Sequence, residues 1–188
     1  THRQSSAASD VYKRQGMIQL GPNTRYDGWD GCGGYHYTDS AMYGFSCTHL
    51  SGTGVSDYGD LLMLPYSSPT KEGDHIKFFK EDEHAQAGYY ACILDDGTRI
   101  EATAGDRTGI LRILFGKGSE PGIMVDLNFR DRMLKQEFSA LEDGRFGGHR
   151  ISEGWAREQH FYFGMYITAR PDTAIEILSL IHISEPTR

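Results

Sequence analysis

Between Arg25 and Lys71 the sequence contains neither lysine nor arginine. A site for phosphate, nucleic acid or an anionic membrane needs cationic side chains, so this stretch excludes those partners. The net charge of −7 over the whole chain points the same way. Cysteine is scarce as well: Cys32, Cys47 and Cys92 form no CxxC pair, which argues against a thiolate zinc site. A Cys32–Cys47 bridge and unpaired buried thiols are both compatible with the spacing. No apolar run approaches the ~18 residues of a spanning helix, and no segment carries a sustained 3.6-residue apolar stripe. Ser46 and Ser51 lie outside any G-x-S-x-G elbow, so serine hydrolase chemistry has no support.

What is present is enough for one domain. A chain of 188 residues buries roughly 70% of its unfolded surface on folding, so a core without staples is expected. The two ends read differently from the middle. Residues 1–15 lack helical or strand period and lack the parts of a signal peptide. VYKRQ near the start and SLIHISEPTR at the end look like translated sequencing-adapter read-through. The expected division is therefore a non-native tail over 1–15, a native but incomplete domain over 16–177, and a second tail over 178–188.

Within 16–177, short apolar runs alternate with Gly, Asp and Pro punctuation. Met17–Leu20 reads as a strand stopped by Gly21-Pro22, and Leu61–Leu64 as a buried strand stopped by Pro65. Ile76–Phe79 is a third. Gly88–Leu94 and Arg99–Ala104 flank Asp95-Asp96-Gly97-Thr98, the clearest hairpin signal in the chain. Ile110–Phe115 and Ile123–Asn128 follow, joined by the turn 116–122. Lys135–Leu141 and Arg145–Ile151 flank a second hairpin turn at Glu142-Asp143-Gly144. Glu158–Ala169 alternates at period two, with Phe161, Phe163, Met165 and Ile167 on one face. Many short strands with regular turn signals predict an all-β fold, an antiparallel β-sandwich.

The stretch Gly28–Asp60 combines eight of the 23 glycines with six aromatics, His36 and His49. Aromatic faces next to Asp and His suit a neutral polyhydroxylated ligand, because a sugar offers apolar C–H faces and a rim of hydroxyls. Trp29, beside Asp30, is either a platform for a sugar ring or a core side chain; Trp155 reads as core. His36 and Asp39 are either a site pair or a structural pair. His49 precedes a Gly-Thr-Gly turn that has no phosphate-loop lysine. Asp39, Asp57 and Asp60 are candidate oxygen donors for calcium, at a spacing unlike an EF-hand. Glu72, Asp74, Glu81, Asp82 and Glu83 read as a solvated face.

The segments GMIQLGP, GWDGCGGYHYTDSAMYGFSCTHLSGTGVSDYGDLLMLP, GYYACIL, IEATAGDRTGILRILF and ISEGWAREQHFYFGMYI closely resemble, in order, the N-terminal domain of glycoside hydrolase family 92, the calcium-dependent exo-α-mannosidases. The resemblance implies a bacterial two-domain enzyme in which this β-sandwich packs on a C-terminal (α/α)6 barrel. It further implies inverting hydrolysis of terminal α-mannosides, as in N-glycan processing. The catalytic acid and base and most Ca2+ ligands would lie in the barrel, outside this chain, so the chain alone is expected to be inactive. By position, Gly16, Met17, Trp29 and Asp30 fall where the family's domain reaches the mannose, with His36, Tyr37 and His49 as further substrate-binding candidates. Where the family reads GFSHTHLSG, this chain has Cys47 in place of the first His. The family also implies a periplasmic or extracellular location. The rivals are a stand-alone lectin-like carbohydrate-binding module and a metal hydrolase built on His36, His49 and Asp57.

Overall fold

The computed structural model describes residues 17–26, 32–50, 54–67, 74–116, 120–169 and 174–182, the last for backbone only. Among the described residues fourteen strands run in chain order: β1 (Gly21–Asn23), β2 (Ala41–Met42), β3 (Gly44–Ser46), β4 (Leu62–Tyr66), β5 (Ile76–Lys77), β6 (His84–Gln86), β7 (Tyr89–Ile93), β8 (Arg99–Ala104), β9 (Thr108–Leu114), β10 (Gly122–Asp126), β11 (Arg132–Ala140), β12 (Arg145–Glu153), β13 (Gln159–Ala169) and β14 (Ala174–His182). Among the described residues there is no α-helix, only the 3-10 turn Lys80–Asp82, and no helix long and apolar enough to cross a membrane.

Every pairing is antiparallel. One sheet has the order β1-β3-β4-β10, a wide sheet has β11-β12-β13-β14-β9-β8-β7-β6, and β2-β5 form a small ribbon. The predicted β-sandwich is therefore present. Alternation decides what faces inward: Phe161, Phe163 and Met165 of β13 are buried, while Tyr162 and Tyr166, at even positions on the other face, are exposed. Leu111 and Ile113 of β9 enter the same core as Phe45 and Met63 of the narrow sheet. The Phe45 ring meets Tyr90 of β7 across the core at 5.8 Å. Each such side chain contributes roughly 1.5–3 kcal/mol by leaving water.

Both predicted hairpins form. At the β7–β8 turn Gly97 supplies the single left-handed φ, 83°, of a three-residue loop closed by Leu94 and Thr98, and Asp143 and Gly144, at 57° and 72°, form the two-residue connection of β11–β12, both turn forms that suit right-twisted strands. The two proline stops are corrected. Met17–Leu20 is not a strand; β1 begins at Gly21 and includes Pro22. Pro22 is tolerated because β1 has only β3 beside it. β4 likewise runs through Pro65, which pairs with Ile123 of β10, while β3 meets β4 only at Phe45↔Met63. At Pro65 the strand is locally an edge, so the missing N–H costs no ladder bond. The turn 116–122 links strands of different sheets rather than a hairpin. β14 continues beyond Ile177 to His182, pairing with Tyr162 on one side and, from Leu180 back to Ala174, with β9 on the other.

Gly148 lies in register between Phe138 and Phe163, whose rings sit 6.0 Å apart. A Cβ at this position would overlap the Glu137 carbonyl oxygen and come within 2.8 Å of the Phe163 ring. The backbone cannot yield without disturbing the β11 register. Gly148→Ala is therefore expected to cost about 1–3 kcal/mol, read as a lowered urea midpoint. An unchanged midpoint would show that β11 shifts freely.

Candidate functional site

Four of the seven sequence-predicted residues are described, and each makes contacts of its own. Gly16, Trp29 and Asp30 lie outside the described residues. Met17 is half-buried, its N–H donating to the Asp106 carbonyl at 2.7 Å. His36 is half-buried, with Nδ1 2.8 Å from Thr38 Oγ1 and its N–H donating to Thr24 Oγ1. Tyr37 is 68% exposed and lies under the Lys80 ammonium, 5.1 Å from the ring centroid. His49 is 4% exposed. Its Nδ1 is 3.1 Å from the Gln19 carbonyl, and its Nε2 is 3.1 Å from Ser46 Oγ and 3.2 Å from Asn23 Oδ1. A Cβ at Gly34, where φ is 81°, would overlap that Nε2. Burial, helped by the Arg130 charge and opposed by the Gln19 carbonyl, pushes the His49 pKa down to about 3. The ring is a neutral strut that ties Gln19, Asn23 and Ser46 together.

The acidic residues also go separate ways. Asp39 accepts two bonds from Arg25, at 2.9 and 3.1 Å, and one from Thr24. Partial burial works upward on its carboxyl, but Arg25 and Thr24 hold it below the usual range. Asp60 is 3% exposed, paired with Arg150 at 2.9 Å and with the Thr48 hydroxyl at 2.6 Å. Burial raises its pKa, while Arg150 and Thr48 pull it down. Asp57 accepts the Trp155 backbone N–H. Asp39, Asp57 and Asp60 thus do not fit a calcium cage, and among the described residues no three or more His, Cys, Asp or Glu side chains are placed to hold a metal. Cys32, Cys47 and Cys92 are buried thiols without a disulfide.

Two further expectations are corrected. Trp155, read as core, is 65% exposed, because it sits on the bend between β12 and β13 instead of on a strand face. Glu83, read as solvated, accepts the hydroxyls of Tyr35 and Tyr90 at 2.8 and 2.7 Å and the Lys80 ammonium at 2.9 Å. Lys80 in turn stands over the Tyr35, Tyr37 and Phe78 rings. These contacts fasten the 32–37 segment to the wide sheet.

The arrangement best suited to a ligand is a pocket of about 290 Å³ immediately before Gly28. It is lined by the rings of Tyr26, Tyr43 and Phe129, the polar residues Asp74, Asp126 and Asn128, and the apolar Leu62 and Met124. Tyr26 and Phe129 meet edge to face at 5.2 Å and 88°, and Tyr26 meets Tyr43 at 6.1 Å. Asp126 Oδ1 accepts the Asn128 N–H at 2.6 Å, a tight turn that aims both side chains from the end of β10. Sequence reasoning missed these residues. Tyr43 lay inside the glycine-rich stretch, and Asp126-x-Asn128 is an Asx-turn signal. Nothing local pointed to Tyr26 or Phe129. A larger groove of about 690 Å³ shares Met124, Asp126 and Asn128, but its walls are mainly apolar, with Phe138, Phe146, Met165 and Ile167 among them. That chemistry suits packing more than hydroxyl recognition.

Solved structures share this architecture. A family GH92 α-mannosidase of Bacteroides thetaiotaomicron superimposes with a TM-score of 0.81 at 24% identity, over 90% of this chain and 30% of that one. A family GH92 inverting mannosidase of the same organism gives 0.70 at 20% identity, over 91% and 26%. An uncharacterized secreted glycosidase of Arthroderma benhamiae is 30% identical over 134 residues, which are 62% of this chain and 17% of that protein. The chain thus spans less than a third of each of these relatives. Residues 15–182 match the glycosyl hydrolase family 92 N-terminal domain, a range that ends with β14, and on that match the chain belongs to glycosyl hydrolase family 92 as its N-terminal domain.

Proposed function

We propose that this chain is the substrate-side domain of an inverting exo-α-mannosidase that removes terminal α-mannosides from glycans outside the cytoplasm. The observation that carries the reading is the Tyr26–Tyr43–Phe129 pocket with Asp74, Asp126 and Asn128. Apolar ring faces take the C–H side of a pyranose, and carboxylate and amide oxygens accept its hydroxyl protons. A neutral sugar is favoured over a phosphorylated or acidic one, because two carboxylates in a pocket repel an anion. Trp29 and Asp30 follow Tyr26 by only a few residues and are proposed, with Gly16 and Met17, to meet the same sugar. Tyr37 and His36 are secondary contacts, and His49 acts through the backbone it holds.

Inversion needs one carboxylic acid to protonate the leaving oxygen and one carboxylate to activate water, roughly 6.5–9.5 Å apart. The buried carboxylates described here are engaged: Asp60 with Arg150, Glu83 with two tyrosines and Lys80, and Asp131 with the Tyr58 N–H, the Ser152 hydroxyl and the Gln159 amide. The acid and base are therefore proposed to come from a C-terminal domain of the parent enzyme. Calcium, when bound there, would grip sugar hydroxyls, with ligands drawn mostly from that domain. The secreted relative supports a periplasmic or extracellular site of action.

On 4-nitrophenyl α-mannoside with added calcium, the chain alone is expected to show no rate above buffer. In the same buffer, methyl α-mannoside is expected to shift the amide signals of Tyr26, Asn128 and Phe129. Turnover by the chain alone would sink the division of labour, and unmoved signals would sink the sugar pocket.

A further inference from the structure

We infer that Arg130 is a positioning residue that sets the angle between Tyr26 and Phe129 and, through those rings, the affinity of the pocket for a neutral sugar. The ligand in this statement rests on the reading above; the positioning rests on geometry alone. Arg130 lies in the connection from β10 to β11, in a left-handed conformation with φ 68°. Its Nη2 donates to the Arg25 carbonyl at 2.8 Å and its Nη1 to the Ser56 carbonyl at 3.0 Å. Its guanidinium carbon stands 5.4 Å from the centroid of the Phe129 ring.

One side chain thus joins three stretches distant in sequence. The Arg25 carbonyl belongs to the peptide that leads into Tyr26, so the Nη2 bond fixes the plane from which that ring departs. Contact with the Phe129 ring fixes the opposing wall. Room for this is provided by Gly59, where φ is 74° and a Cβ would press within 3.0 Å of both Arg130 Cδ and the Phe129 ring. The preceding residues are held independently: Thr24 by the Gly34 carbonyl and Arg25 by Asp39. Arg130 links that segment to the chain that follows β10, alongside the Tyr26–Phe129 contact itself. A planar fork serves two carbonyls at once while lying against an aromatic face; a lysine ammonium has the charge without the fork.

The test uses the isotope-labelled chain with Arg130→Lys and Arg130→Gln. Ring-to-ring nuclear Overhauser effects between Tyr26 and Phe129 are expected to vanish in both variants, while those across β4 and β10 persist. Affinity for methyl α-mannoside should fall about tenfold, as when a supporting group is loosened, with the thermal midpoint close to wild type. Ring contacts retained in either folded variant, or affinity unchanged in both, would overturn the assignment. Outright unfolding of both variants would also overturn it, in favour of a purely structural role. If wild type does not bind the sugar, the reading of the pocket fails, and the ring contacts alone decide the positioning.

Discussion

Arg150→Ala is expected to destabilise the domain by about 3–5 kcal/mol, a large part of the roughly 5–15 kcal/mol that holds a domain together. Arg150 has no exposed surface. It projects from β12 at a position in register with Phe161 on one side and Gln136 on the other. Its Nη1 donates to Asp60 at 2.9 Å, and its Nη2 donates to the carbonyls of Phe129 and Asp131 at 2.9 and 3.4 Å. Truncation leaves a carboxylate 3% exposed, with the Thr48 hydroxyl and its own backbone N–H as its remaining support. It also strands two carbonyls. The measurement is a urea midpoint shift at unchanged slope. Replacing both charges, Arg150→Met with Asp60→Leu, should recover most of the loss, because the cost lies in the orphaned partner more than in the pair itself. A single-variant loss below about 1 kcal/mol, the range of an exposed pair, would show that water reaches Asp60.

The thermal midpoint is expected to fall gently from pH 6 to pH 4 in wild type and more steeply over that range in Asp131→Asn. Two buried groups with opposite senses produce this. His49 is held at about 3 when folded, against an ordinary 6.5. A depressed pKa contributes stability that is complete above 6.5 and is lost as pH falls toward 3, on the order of 5 kcal/mol in all at about 1.4 kcal/mol per unit. Asp131 is raised to about 6, mainly by burial; the Tyr58 N–H and Arg150 oppose this and the Asp57 and Asp60 carboxylates add to it. A raised carboxyl contributes stability that is complete below its ordinary 3.8 and is lost as pH rises through 6. Asp131 sits nearer the surface than His49, so screening reduces its share to about 1–2 kcal/mol. Between 4 and 6 the two slopes oppose each other; below 4 only the loss remains, joined by Asp39 and Glu101, whose pKa values are lowered. An Asp131→Asn profile parallel to wild type would sink this account.

The elements that sequence predicted best were those whose cause is local. The Asp-Gly turns and the alternation of Phe161, Phe163 and Met165 require only neighbouring residues. The proline stops misled because tolerance at Pro22 and Pro65 depends on which strand lies alongside, a fact set by the sheet order. The same limit hid the site. Tyr26 and Phe129 are far apart in the sequence and meet only in the fold, where Arg130 donates to the Arg25 carbonyl. His49 looked like a ligand candidate because its partners, Gln19, Asn23 and Ser46, are not adjacent to it in a recognisable pattern. Arg150 was the one buried feature with a readable warning: period two puts it on the same face of β12 as Phe146 and Ser152, so its charge had to point inward.

β14 is the last described strand of the chain, yet it lies in the interior of the wide sheet, between β13 and β9. During synthesis that sheet exists first as two half-sheets, β6–β9 and β11–β13, each ending in an unpaired strand. Open edges of this kind recruit other chains. The domain therefore cannot close its core until the ribosome has released about residue 182, and a nascent chain that stalls before then leaves both halves seeking the same partner.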